Sequence, residues 1–222
     1  VDGIIWAVPG NDNLIGELSR RFSEISVPVV YLNKLQTHYE TVVAMDNRLG
    51  GKIATRHLIE AGYRRIGIIT GPKDWWEAQE RKSGWLEVIT EAGFDNTKKR
   101  IVHGDWSAAS GEAGLRNLLA RSPDIDAVFV SNDQMALGAL KASRHLGINV
   151  PQELGFVGFD DIPEAEYFYP SLTTIRQNAE ELGAVAVEQM CNIIRARQDG
   201  QDYHSDVIWV KPELIVRKSS TR

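Results

Sequence analysis

Short apolar runs alternate with amphipathic segments along almost the whole 222-residue chain. The clearest runs are Gly3–Val8, Val29–Leu32, Thr41–Met45, Arg65–Thr70, Ala127–Val130 and Leu154–Gly158. Strands that are apolar on both faces and are each followed by a helix indicate parallel sheets with helices packed on both sides. The alternation therefore predicts an α/β fold with right-handed crossovers.

Helix signals fill the spaces between the apolar runs. Asn11–Ser26, Glu77–Ala92, Ser107–Ala120 and Asp133–Leu146 carry apolar residues at helical spacing. Asn178, with Glu181 three residues later, is typical of a helix N-terminus that is closed by a capping box.

Composition excludes several classes of function. The net charge is −5, which argues against this chain holding a phosphate backbone by itself, because such binding rests on clustered Lys and Arg. No apolar stretch approaches the ~20 residues that a transmembrane helix needs. The single cysteine cannot form an internal disulfide, and the scattered histidines have no metal-ligand spacing, so we expect no metal site.

The sequence also lacks the signatures of common cofactors and nucleophiles. Neither G-x-G-x-x-G nor G-x-x-x-x-G-K-[ST] occurs, and no serine stands in a G-x-S-x-G elbow. We therefore expect no cofactor and no enzymatic activity.

The most informative stretch is Val157–Gln177, where an apolar strand runs straight into Asp160 and Asp161. Ligands of open α/β sheets bind beyond the carboxyl ends of the strands. A carboxylate held there accepts hydrogen bonds from a polyhydroxyl ligand. The alternative is a loop whose acids are merely solvated.

Three further polar clusters fall at predicted strand-to-helix junctions. Arg81 could aim a planar fork of donors at ligand hydroxyls, or could be a solvated surface arginine. Trp106 lies in a loop of small polar residues with little core to join, where its ring could stack on a sugar; the alternative is a partly buried packing residue. Asn132 could bind a ligand or act only as a helix N-cap.

Taken together, these segments resemble the effector-binding core of the lactose-repressor (LacI/GalR) family of bacterial transcription regulators. The resemblance is carried by Asp46–Pro72, Glu80–Trp85, Ser131–Leu140 and Gly155–Gln177 and covers essentially the whole chain. It implies the type I periplasmic-binding-protein fold, in which two Rossmann-like subdomains with parallel sheets are joined by a hinge and flank an effector cleft.

The resemblance also implies a division of the chain. We expect residues 1–46 and 175–206 to form an N-subdomain, and residues 47–174 and 207–222 to form a C-subdomain. The chain starts at Val1 without a methionine, so we expect the DNA-binding helix-turn-helix head, the hinge helix and the first strand and helix to be missing from it.

By the same resemblance, the effector-binding residues can be carried over one by one. Arg81 matches an arginine that clamps effector hydroxyls, and Trp106 matches an aromatic residue that stacks on the ligand ring. Asn132 and Asp160 match a polar pair on the C-subdomain side, and Gln177 matches a polar residue on the N-subdomain wall.

Three more candidates depart from the family pattern. Asn33 stands where an acid is common, and Ala7 stands where an asparagine would donate a hydrogen bond, which puts galactoside specificity in doubt. Trp76, with Trp75 and Glu77 beside it, would make the cleft mouth bulkier and more acidic.

The expected function is therefore that of the ligand-sensing domain of a cytoplasmic regulator, with a sugar or sugar-like effector as its ligand. Expected partners are a second copy of the chain, through Leu137, Tyr167 and Phe168, and operator DNA through the missing head, with no membrane contact. The alternatives are a periplasmic sugar-binding protein of a transport system, which shares the fold, and an enzyme on a similar α/β core.

Overall fold

The computed structural model describes residues 1–7, 27–33, 40–94, 97–204 and 206–221. The chain forms two compact units. The first unit comprises Val1–Asp46, Asp74–Trp76 and Asn178–Lys211. The second unit comprises Asn47–Lys73, Glu77–Gln177 and Pro212–Arg222.

The first unit contains a parallel four-stranded sheet and a long helix. The strands are β1 (Ile4–Ala7), β2 (Val29–Leu32), β3 (Thr41–Met45) and β9 (Val207–Val210), in the order β1-β2-β3-β9. The helix α5 (Ala179–Gln198) begins at Asn178, whose side chain accepts a hydrogen bond from the backbone N–H of Glu181. Its apolar face packs Ala186 and Met190 against Val30 and Val43 of the sheet.

The second unit contains a six-stranded sheet in the order β10-β8-β7-β6-β4-β5. Its strands are β4 (Ile66–Thr70), β5 (Ile101–His103), β6 (Ala127–Val130), β7 (Gly155–Asp160), β8 (Thr173–Arg176) and β10 (Glu213–Ile215). All pairs are parallel except β10 with β8. The helices are α1 (Asn47–Glu60), α2 (Trp76–Glu91), α3 (Ala108–Arg121) and α4 (Asp133–His145), and short 3₁₀ segments occupy Thr97–Arg100 and Pro163–Tyr167.

Helices cover both faces of the second sheet, because its central strands are apolar on both faces. In β6, Ala127 and Phe129 pack with Trp85 on one side, whereas Val128 and Val130 pack with Leu115 on the other. This is the alternation expected of a strand that is buried on both faces. The predicted α/β fold with parallel sheets is confirmed.

Most element boundaries lie within a few residues of those predicted. The predicted helix Asn11–Ser26 lies outside the described residues, as does Val8 at the end of the first apolar run. None of the helices in the described part of the chain is long and apolar enough to cross a bilayer.

The division of the chain differs from the expected one at three places. Asp74–Trp76, which includes the first residue of α2, belongs to the first unit, whereas the expected C-subdomain contained it. Val207–Val210 pairs with β3 in the first unit, whereas the expected boundary assigned residues from 207 onward to the C-subdomain. The change of unit comes at Lys211 and Pro212, where proline cannot continue the hydrogen-bond ladder. Residues 175–177 belong to the second unit because Ile175 and Arg176 complete β8, which pairs with β7.

Candidate functional site

Arg81 is the centre of a buried polar cluster in the second unit. It projects from α2, and only 5% of the residue is exposed. Its Nε donates to Asn47 Oδ1 at 2.7 Å, and its Nη1 donates to the Ser131 carbonyl oxygen at 2.5 Å and to Asp160 Oδ1 at 3.4 Å. Nη2 donates to none of the described residues. The alternative of a solvated surface arginine is wrong.

Aromatic rings flank the same guanidinium. The Arg81 guanidinium carbon lies 3.7 Å from the centroid of the Phe159 ring and 5.6 Å from that of Trp106. Such contacts stabilise a desolvated cation. Burial lowers the pKa of Arg81 and the Asp160 charge opposes that shift, and the side chain remains a cation.

Asp160 stands at the end of β7 with its carboxylate beside Arg81. Its Oδ1 also accepts from Gln177 Nε2 at 2.6 Å, whereas its Oδ2 accepts no hydrogen bond from the described residues. The side chain is 26% exposed. Burial raises the pKa of Asp160, and the Arg81 charge partly offsets that rise. A carboxylate with one oxygen fixed and the other open is suited to accept hydrogen bonds from a ligand.

Asn132 has a structural role at the start of α4. Its Oδ1 caps α4 by accepting from the Met135 backbone N–H at 2.9 Å. Its Nδ2 donates to the Trp106 carbonyl oxygen and to Gln134 Oε1, both at 3.0 Å. The interpretation of Asn132 as an N-cap is confirmed, and its direct contact with a ligand stays a prediction.

Trp106 is less isolated than its polar surroundings in the sequence indicated. Its ring is half-buried and packs against the core cluster of the second unit, so the prediction that it had little core to join is wrong. The ring lies so close to Gly71 that a Cβ added there would be 2.2 Å from Trp106 Cη2. Trp106 itself has a positive φ of 74°. Stacking of a sugar on this ring stays a prediction.

Gln177 lies in the second unit, not on the wall of the first as expected. Because it follows β8 directly, it reaches the neighbouring end of β7 and donates to Asp160. Arg81, Trp106, Asn132, Asp160 and Gln177 are thus brought together within one unit, around the carboxyl ends of β4, β6, β7 and β8.

The other three candidates lie in the first unit. Ala7 is the exposed last residue of β1. Asn33 follows β2 with a positive φ of 48°, and its Oδ1 accepts from the Met45 backbone N–H at 2.9 Å. Trp76 stacks against Trp209, with ring centroids 6.2 Å apart. Their roles in binding stay predictions.

Comparison with known proteins identifies the family. Residues 55–220 match the model of the periplasmic binding protein-like domain. The HTH-type transcriptional regulator CelR of Thermobifida fusca is 34% identical over 222 residues, which are 99% of this chain and 63% of the relative. The chain thus spans less than two thirds of the length of that relative.

Two solved structures have the same fold. A transcriptional regulator CelR–cellobiose complex superposes with a TM-score of 0.85 at 34% identity, covering 99% of this chain and 66% of the other. The lac repressor dimer bound to operator and the anti-inducer ONPF superposes with a TM-score of 0.87 at 26% identity, covering 100% and 74%. This chain belongs to the LacI family of periplasmic binding protein-like domains. The predicted type I periplasmic-binding-protein fold is confirmed.

Several residues of this LacI-type domain were missed in the sequence. Phe159 stacks on Arg81, and Asn47 and Ser131 fix its guanidinium. The hydroxyl of Ser131 is buried and makes no hydrogen bond within the described ranges. The only signal in the sequence was position, since each lies at or next to a predicted strand end or helix start.

The two adjacent carboxylates of the LacI-type domain have separate partners. Arg176 Nε and Arg217 Nη2 donate to Asp161, each at 2.7 Å, so the carboxylate of Asp161 is fully engaged. A third acid nearby, Asp133, is completely buried, and burial raises its pKa to about 7. Of the three carboxylates, Asp160 alone has an oxygen that is open to a ligand.

The three interface candidates of the LacI-type domain differ in exposure. Leu137 is 44% exposed and Tyr167 is 84% exposed, as an interface would require before association. Phe168 is half-buried and packs against the core of its own unit, and its role at an interface stays a prediction. No group of three metal-ligating side chains occurs in the described part of the chain.

Proposed function

We propose that this chain is the ligand-sensing domain of a LacI-type transcriptional regulator and that its ligand is a sugar or a sugar-like molecule. The carrying observation is the open polar edge in the second unit, where Asp160 Oδ2 and Arg81 Nη2 have no partner among the described residues. Trp106 lies beside this edge. A CelR structure with which the chain shares 34% identity is a complex with cellobiose, which supports the same class of ligand here.

The chemistry of a sugar fits this edge. A sugar hydroxyl can donate to the Asp160 carboxylate and accept from the Arg81 guanidinium, and hydrogen bonds to charged groups are about twice as strong as neutral ones. The Trp106 ring offers an apolar face to the C–H groups of a pyranose. The hydrogen bond between Arg81 and Asp160 already orients both side chains, so ordering them costs little further entropy when a ligand binds.

We infer that the whole protein binds operator DNA through a helix-turn-helix head and acts as a homodimer. The relatives named above support both points, since CelR is an HTH-type regulator and the lac repressor is a dimer on its operator. A dimer places two heads on half-sites about one helical turn apart. A sugar controls such a protein only if it binds one conformation more tightly than another. Such a regulator acts in the cytoplasm.

The alternative of a periplasmic transport receptor is not favoured, because the matched relative is a DNA-binding regulator. We also propose that the domain is not an enzyme. Incubation with a bound sugar, followed by chromatography of the sugar, should return it unchanged, whereas any turnover product would contradict this.

Calorimetry with a panel of sugars that includes cellobiose tests the proposed ligand class. Asp160→Asn should weaken binding of the sugar that binds by roughly 10- to 150-fold, because a charge-assisted hydrogen bond contributes about 1.5–3 kcal/mol. Trp106→Ala should weaken it by about the same order through lost stacking and shape. The matched control is Asp124→Asn, an exposed carboxylate outside the cluster.

Either of two outcomes would contradict the proposal. If no sugar in the panel binds, the ligand class is wrong. If a sugar binds but Asp160→Asn and Trp106→Ala behave like Asp124→Asn, the ligand occupies another place.

A further inference from the structure

The turn that follows β7 is held in an unusual backbone conformation. Asp160 has a φ of 113° and Asp161 has a φ of 55°, although neither is glycine. Side chains with a Cβ rarely adopt positive φ, and such residues persist only where surrounding contacts over-determine them. The turn also carries the carboxylate that faces Arg81, so the contacts that fix the turn also place that carboxylate.

Asp133 supplies these contacts from the neighbouring helix. Its Oδ2 accepts from the Ile162 backbone N–H at 3.0 Å, immediately after the two residues of positive φ. Its Oδ1 accepts from Thr174 Oγ1 at 2.6 Å. The Thr174 hydroxyl oxygen in turn accepts from the Asp161 backbone N–H at 3.4 Å. One carboxylate therefore holds the turn directly at Ile162 and indirectly at Asp161.

The burial of Asp133 indicates a specific role. The residue is 0% exposed and forms no ion pair with the cations of the described segments, which is costly for a carboxylate. It lies in the first turn of α4, where the helix dipole favours a negative charge. Gly158 leaves the space that it needs, because a Cβ there would lie 2.2 Å from Asp133 Oδ1. The absence of a side chain at Gly158 in β7 therefore makes room for the carboxylate of Asp133.

The other half of the turn is fixed by cations. Arg176 and Arg217 both donate to Asp161, and Arg217 also donates to the Leu172 carbonyl oxygen at 2.8 Å. These contacts direct the Asp161 carboxylate toward the guanidiniums. With Asp161 and Ile162 both fixed, the Asp160 side chain is left to face Arg81 and Gln177.

We propose that Asp133 is a positioning residue for the ligand site, which acts through the turn Asp160–Ile162 to hold the Asp160 carboxylate against Arg81. The assignment to a ligand site rests on the proposed function, whereas the control of Asp160 by Asp133 does not. The two parts are therefore tested by separate measurements.

The first measurement needs no ligand. It follows the ¹³C resonance of the Asp160 carboxyl through a pH titration of the whole chain, together with hydrogen exchange of the Ile162 amide. In Asp133→Ala the amide should exchange at least about tenfold faster, because its acceptor is lost. The Asp160 titration should shift from its wild-type midpoint because the carboxylate no longer keeps its place beside Arg81.

Conservative variants keep this test decisive. In Asp133→Asn one amide oxygen can still accept from Ile162, so the exchange rate should return toward that of the wild type. Thr174→Val removes only the indirect contact, so it should shift the Asp160 titration in the same direction by a smaller amount. If Asp133→Ala does not fold, these two variants carry the test. An Asp160 titration that is unchanged in every folded variant would overturn the proposal.

The second measurement is a double-mutant cycle on sugar affinity, with cellobiose as the first probe and otherwise the sugar that the calorimetric panel yields. Asp133→Ala should weaken binding about tenfold in the wild-type background but no more than about twofold in the Asp160→Asn background. Equal losses in both backgrounds would show that Asp133 does not act through Asp160. If no sugar binds, the proposed function fails, and the ligand-free titration still decides whether Asp133 positions Asp160.

Discussion

Replacing Arg81 with methionine should destabilise the second unit by about 3–5 kcal/mol, the scale for breaking a buried ion pair by removing one partner. Methionine keeps most of the length and the apolar stem but removes every donor. The Asn47 and Ser131 oxygens lose charged hydrogen bonds at 2.7 and 2.5 Å, each of about 1.5–3 kcal/mol. The contact with Phe159 at 3.7 Å contributes about 2 kcal/mol at a desolvated site. Recovered apolar burial offsets part of this sum.

A second substitution measures the interaction between Arg81 and Asp160 separately from the other contacts of Arg81. With Arg81 gone, the Asp160 carboxylate keeps Gln177 as a donor but loses its cation. Asp160→Asn should therefore be less harmful in the Arg81→Met background than in the wild type. The interaction free energy from the double-mutant cycle should be about 1–2 kcal/mol, which is typical of residues in one hydrogen-bonded network.

The assay must report on the second unit alone, because a chain of two units need not unfold in one step. Hydrogen exchange measured on peptides from β6 and β7 gives the free energy of opening of the strands beside Arg81. The matched control is Arg116→Met on α3, whose side chain is 45% exposed and pairs with Glu112 at the surface. That change should stay within about 0.5 kcal/mol. If Arg81→Met costs no more than the control, the buried cluster does not stabilise the fold as argued.

Three further changes probe single groups. Ser131→Ala removes a buried hydroxyl that makes no hydrogen bond in the described part of the chain. Hydrogen exchange of the β6 and β7 peptides should therefore give an opening free energy equal to or up to about 1 kcal/mol above that of the wild type; a loss above 1 kcal/mol would contradict this. Asn132→Ala should lower the free energy of unfolding by about 1–2 kcal/mol, because the cap of α4 is lost. It should also change the near-ultraviolet circular dichroism, because the Trp106 carbonyl loses its donor. An unchanged spectrum would show that this contact does not hold the ring. Asp133 has a native pKa of about 7, above its ordinary value of 3.8, so its favourable contribution is complete below pH 3.8 and is lost as the pH rises to 7. Between pH 5 and pH 8 the wild type should therefore lose about 2–3 kcal/mol relative to Asp133→Asn, and parallel pH profiles would refute this.

The elements of the fold could be predicted because the signal is local. Runs such as Ala127–Val130 are apolar at every position, and glycines or capping residues mark the ends of the helices between them. The unit to which a strand belongs was harder to predict. Val207–Val210 is equally apolar whether it pairs with β3 or with β8, and only the partner decides its unit.

The sequence predicted which residues lie at the site but not which hydrogen bonds they make. Arg81, Trp106, Asn132 and Asp160 were found because they follow or precede apolar runs, and they do lie together. That Asn132 uses its amide to cap α4 and to hold Trp106 depends on rotamers, which sequence spacing does not specify.

Long-range partners explain why two adjacent aspartates could not be told apart in the sequence. Asp161 is engaged by Arg217, which is 56 residues away along the chain, and Asp160 by Arg81, which is 79 residues away. No local pattern around the two acids carries that information. The difference between an open and an engaged carboxylate is therefore a property of the assembled sheet.

The distribution of cations around Asp133, Asp160 and Asp161 explains why one of these acids is suited to bind a ligand. Two guanidiniums engage Asp161, one reaches Asp160, and none of those in the described segments pairs with Asp133. Burial raises the pKa of Asp133 and of Asp160, and the Arg81 charge opposes the rise at Asp160. Asp160 is thus left incompletely paired, with Oδ2 open. A hydroxyl that donates to this oxygen completes its hydrogen bonding, and this gain can be large because the protein has already met much of the cost of desolvating the carboxylate.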